Sequence, residues 1–102
     1  MAPSNKRALN ALIDLLADSR EGIATWAGHA LRSVGRAAVP PLLDALNDRN
    51  SELRWRAAWT IGGMNEKLES VVPALQKASH DPDPEVRKWA EWALDKHTPN
   101  SP

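Results

Sequence analysis

Apolar and polar positions recur in register three times along the chain. With Asp18, Asp48 and Asp81 aligned, Leu9, Val39 and Val72 stand nine residues before them, and Leu12, Leu42 and Leu75 stand six before. After the aspartates come Ile23, Leu53 and Val86, then Ala27, Ala57 and Ala90, then Leu31, Ile61 and Leu94. Within each unit the apolar residues fall at helical spacing on both sides of a polar turn, which predicts helix, tight turn, helix. First helices are expected over 4–17, 37–47 and 70–79, and second helices over 20–34, 51–61 and 84–96. One such hairpin buries its apolar face only by stacking on a neighbour, so the three units are expected to form one all-α solenoid domain over 1–97, with repeats at about 4–35, 37–64 and 70–97.

Helix edges are marked by residues with a backbone reason to be there. Asp83 followed by Pro84 reads as an N-cap and first-turn pair, and Pro40 and Pro73 sit near the start of the first helices, where a missing amide costs little. Gly35 and the pair Gly62 and Gly63 are expected to stop second helices in a left-handed conformation. The step from Asp48 to Asp81 is three residues longer than the step from Asp18 to Asp48, and the excess falls in the connecting loop at 65–70, where an insertion is cheap. The polar tail 98–102, with two prolines, is expected to be disordered.

Composition narrows the classes. The 102 residues, 42% of them hydrophobic, suffice for one shared core. Formal net charge is zero, so no global field draws the protein to nucleic acid or anionic membrane. The absence of cysteine removes disulfides, thiolate catalysis and zinc-thiolate sites. Residues 1–10 lack the layout of a signal peptide and no apolar run is long enough to span a bilayer, so a cytoplasmic location is expected.

Val39 to Met64 (VPPLLDALNDRNSELRWRAAWTIGGM) and Val71 to His97 (VVPALQKASHDPDPEVRKWAEWALDKH) resemble HEAT-like repeats, in particular the short variety first associated with phycobilisome lyases. The proline of the first helix, the turn aspartate, the arginine opening the second helix and the alanine three residues after it are present in both. The first repeat keeps the apolar positions but has Asn10 and Ala24 where the proline and the arginine would stand, as an N-terminal cap would. The resemblance implies a right-handed α-α superhelix whose second helices line a concave surface for partners, and it implies no reaction. It also implies a polar ladder between repeats, for which the matching positions are Asp48 with Arg54 and Asp81 with Arg87. Loss of Arg87 would then leave Asp81 without its charged partner.

All five aromatic residues are tryptophans of the second helices: Trp26, Trp55, Trp59, Trp89 and Trp92. Helical projection places Trp55 and Trp59 opposite the core face of Leu53, Ala57 and Ile61, with Trp92 and His29 in the register of Trp59. A strip of His29, Trp55, Trp59 and Trp92, with Lys88 beside it, is therefore the candidate binding face. The alternative is that these rings lie flat on neighbouring side chains and thicken a thin core. Trp26 and Trp89 share another register, so one of them faces an open end, either as its cap or as a weak end-to-end contact between copies.

The imidazoles His29, His80 and His97 are scattered over three repeats, and no nucleophile, metal or phosphate-loop motif occurs. No catalytic residue, metal or cofactor is therefore expected. The reading is a non-enzymatic binding or scaffold module for a protein partner. The alternative is a module contacting tRNA or DNA, with Trp55 and Trp59 stacked on bases and Arg54, Arg56 and Lys88 on phosphates, which the zero net charge disfavours.

Overall fold

Each unit of the repeat folds as a helical hairpin. The computed structural model describes residues 6–98. Its helices are α1 (Lys6–Leu16) and α2 (Glu21–Val34) in the first repeat, α3 (Val39–Ala45) and α4 (Ser51–Gly62) in the second, and α5 (Val72–Ala78) and α6 (Pro84–His97) in the third. Single 3-10 turns, Gly35–Ala38 and Glu69–Val71, lead into α3 and α5. The described residues contain no strand. The expected start of the first helix at Ser4 and Asn5, and the expected disordered tail beyond Thr98, lie outside the described residues.

Helix starts follow their capping chemistry. Asp83 accepts the amides of Glu85 and Val86, and Asn50 accepts that of Glu52, so α6 and α4 begin with an otherwise orphaned donor satisfied. Pro40 and Pro73 occupy the first turns of α3 and α5. Gly35 has φ 81° and ends α2 by donating its amide to the Leu31 carbonyl, a conformation that favours glycine.

The pair Gly62 and Gly63 does something else. Gly62 lies inside α4 and Gly63 has φ −91°, so neither adopts the left-handed stop that their spacing predicts. They are small because of what presses on them. A Cβ on Gly62 would meet the Trp92 ring and lie 3.1 Å from the Ala93 Cα, and one on Gly63 would meet the Arg32 guanidinium.

The hairpins stack so that α2, α4 and α6 pack side by side as one layer, while α1 and α3 touch in the other. Between the layers runs one apolar core, with Leu16, Leu31, Leu42, Ile61, Leu75 and Val86 fully buried. Alanines at the inner positions of the second helices, Ala24, Ala27, Ala57, Ala58, Ala90 and Ala93, let these helices approach closely. No described helix is long and apolar enough to cross a membrane.

Candidate binding face

The second-helix layer carries the tryptophans, and it uses most of them to join repeats. Trp59 of α4 reaches back onto Gly28 of α2, where a Cβ would collide with its ring. The Arg32 guanidinium lies 4.1 Å from the centre of that ring, and His29 meets it edge-on at 5.6 Å. Trp92 of α6 reaches onto Gly62 of α4 in the same way. Trp55 stacks on Trp89 at 6.1 Å, and Trp89 meets Trp92 edge-on at 5.4 Å.

Trp55, Trp59, Trp89 and Trp92 are thus half-buried, against the expectation that Trp55 and Trp59 point away from the core. The reason is geometric. Helical projection gives a direction from one helix axis, but the neighbouring second helix lies beside that axis and covers what projects sideways. His29 and Lys88 remain exposed, with the Lys88 ammonium 5.0 Å from the Trp89 ring. Trp89 belongs to the seam with repeat two, whereas Trp26, in the same register of repeat one, is 58% exposed.

Between α2 and α4 the rings leave a cavity of about 230 Å³. Trp55, Trp59 and Trp89 supply its aromatic wall, and Glu21, Ala24, Thr25 and Arg56 complete it. It exists because the first repeat has the small residues Ala24 and Thr25 facing that seam. Two buried donors of its lining residues, Arg56 Nε and Trp89 Nε1, are closed off from solvent and have no hydrogen-bond partner among the described residues. Arg56 is otherwise held, with Nη2 3.0 Å from Glu52 and Nη1 directed at the Leu16 and Asp18 carbonyls of the first turn.

The ladder pairs differently from the matched positions. Arg54 reaches forward to the next repeat, with Nε 2.8 Å and Nη2 3.0 Å from the two oxygens of Asp81, while its Nη1 donates to the carbonyls of Asp48 and Arg49 in its own turn. Arg87 repeats only the second half, donating from Nη1 to the carbonyls of Asp81 and Pro82. The carboxylate of each turn is occupied by the amide two residues on, so the arginine of the same repeat finds carbonyls and turns its fork toward the following repeat. The Asp48 carboxylate receives no arginine among the described residues, since Ala24 stands in the preceding repeat at the register of Arg54, and Asp18 is held by Arg20, which draws its carboxyl down to about 2.

Burial opposes the charged form of Asp81, but the bonds from Arg54 and from the Asp83 amide outweigh it and hold the carboxyl below its ordinary value. Arg54→Ala is therefore expected to cost about 1–3 kcal/mol at neutral pH, and Arg87→Ala less than about 1 kcal/mol. Because the folded-state value is depressed, this stabilisation is complete at neutral pH and is lost as pH falls through it. Denaturant melts of both variants from neutral to acid check this. Equal losses for the two, or an Arg54→Ala deficit that does not shrink in acid, would refute the pairing.

Residues 39–101 match the HEAT repeats family. The chain belongs to this family. The comparison with curated proteins returns no match. Repeat one lies outside the matched segment, yet α1 and α2 form the same hairpin as the other two HEAT units and stack on them.

Two residues that hold this HEAT array together carry no signal in the repeat pattern. The guanidinium of Arg32 donates to the carbonyls of Trp59 and Thr60 at 2.6 and 3.1 Å, placing a cation at the C-terminal end of α4 on carbonyls that also accept the Gly63 amide. His97 is 1% exposed at the end of α6. Its Nδ1 accepts the Leu68 amide at 3.0 Å and its Nε2 lies 2.7 Å from the Ile61 carbonyl, so the ring ties the inserted loop to α4. The phosphate contacts of the nucleic-acid alternative lose two of their three residues, since Arg54 is committed to Asp81 and Arg56 is buried.

Proposed function

We propose that this HEAT-repeat chain is a non-enzymatic scaffold that binds a segment of another protein on its second-helix face. The observation that carries the reading is the tryptophan-walled cavity. Its aromatic walls take a bulky apolar side chain. His29, Lys88 and Trp92 lie on the same layer of helices and extend the surface beyond the cavity.

A displayed peptide library panned on the intact chain tests this. Thr25 is exposed at the cavity, so Thr25→Trp fills the space without removing any core contact. Selected peptides are expected to carry a large apolar residue and to lose at least about tenfold in affinity to Thr25→Trp, about 1.4 kcal/mol, with the melting temperature unchanged. Peptides that bind both proteins equally, or a library that yields none, would overturn the reading. A short single-stranded RNA serves as the comparison probe. Tight RNA binding that falls steeply with salt would favour a nucleic-acid module instead.

A further inference from the structure

The two ends of the solenoid differ, and the internal seams show what each end is built to meet. At the seam between repeats two and three, Arg54, six residues after its turn aspartate, grips Asp81 of the following repeat. The next residue, Trp55, stacks on Trp89, which stands eight residues after Asp81. Arg56, in the register of Trp89, likewise points to the preceding repeat and reaches the carbonyls of Leu16 and Asp18. The sixth and seventh positions after the aspartate thus face forward, and the aspartate itself and the eighth face back.

Carried to the ends, this rule puts Asp18 and Trp26 on the N-terminal face and Arg87 and Lys88 on the C-terminal edge. Trp26 is 58% exposed and borders an apolar depression with Leu15, Gly22 and Ile23. At the other end Arg87 is already set as Arg54 is, its Nη1 tied to two carbonyls of its own turn. Its Nε and Nη2, the edge with which Arg54 holds a carboxylate, have no partner among the described residues. Lys88 is exposed beside it, its ammonium 5.0 Å from the Trp89 ring of the same chain, at the position from which Trp55 covers an indole.

We infer that copies of this chain associate head to tail, the C-terminal edge of one seated on the N-terminal face of the next. Arg87 takes the Asp18 carboxylate of the next copy, and Lys88 lies over the ring of its Trp26. The new seam repeats the carboxylate fork of the internal one and replaces its indole stack by a cation over an indole. Arg20, whose side chain is 71% exposed, holds Asp18 in the single chain and gives it up on association. That exchange makes the contact weak. Because the two surfaces differ, a pair of copies leaves one of each surface free, and further copies add to them.

Sedimentation velocity over a concentration series tests this on the intact chain. The weight-average mass is expected to rise past that of a dimer without a plateau, and to fall back to monomer at high salt. Arg87→Asp alone and Asp18→Arg alone are each expected to stay monomeric, because like charges then meet at the contact, while a mixture of the two associates again. Trp26→Ala and Arg87→Ala change exposed side chains, and each is expected to weaken association with helicity and melting temperature retained. A wild-type chain that stays monomeric throughout would overturn the inference. So would a mass that stops at the dimer and ignores Arg87→Asp, which would mean two N-terminal faces meeting, or association unchanged in the two alanine variants.

Discussion

A chain ending at Met64 is expected to lose its cooperative unfolding transition and most of its helical signal at room temperature. The third repeat does more than extend the array. It covers α4, whose Ala57, Ala58 and Ile61 are fully buried, and Ala93 of α6 lies against Gly62. It supplies Trp89 for Trp55 to stack on, and Asp81 for Arg54 to hold. Removing it leaves two hairpins to offset the conformational entropy of four helices, fewer than the roughly three units such an array needs. Far-UV circular dichroism with thermal melting is the measurement, and a shortened chain melting cooperatively near the full-length midpoint would defeat the shared-core account.

Substituting His97 by alanine is expected to be the most damaging single change outside the leucine core, lowering stability by about 3–5 kcal/mol. The ring fills a site that is 1% exposed, and its removal leaves a hole between the end of α6 and the loop before α5. It also strands two buried backbone groups, the Leu68 amide and the Ile61 carbonyl. With Nδ1 accepting, the proton resides on Nε2, which donates to Ile61. His97→Gln, which keeps a donor and an acceptor, is expected to lose less. Chemical denaturation of the two variants decides, and a cost under about 1 kcal/mol for His97→Ala would show the loop to be held by Leu68 alone.

Much of the fold was legible along the chain because it depends on local rules. The second helices expected over 20–34, 51–61 and 84–96 are Glu21–Val34, Ser51–Gly62 and Pro84–His97, and the Asp83 cap and Gly35 stop act as their chemistry requires. Periodicity also identifies the core, since Leu42, Ala57, Ile61, Leu75, Val86 and Ala90 recur on the faces that the structure buries. The family resemblance read from repeats two and three agrees with the HEAT match over 39–101.

The candidate site was less legible. Sequence spacing marked Trp55, Trp59 and Trp92 as a group, but it did not show that Trp59 and Trp92 spend their rings on Gly28 and Gly62, or that Trp89 joins Trp55 at the cavity wall. It matched Arg54 to the aspartate of its own repeat, where the structure sends it to Asp81 of the next. His97 and Arg32 bond only to segments 27 or more residues away, so no local pattern marks them.

One physical reason covers these cases. The chain's own pattern determines which residues are helical, where each helix starts and stops, and which stripe of each must leave water, because those depend on neighbours within a few residues. How far one hairpin shifts and rotates against the next depends on the close packing of small and large residues contributed by both, such as Gly62 beneath Trp92 and Ala24 and Thr25 opposite Trp55. That offset, settled only by tertiary packing, directs Arg54 to Asp81, opens the cavity beside Arg56 and Trp89, and leaves Trp26 and the fork of Arg87 at opposite ends of the molecule.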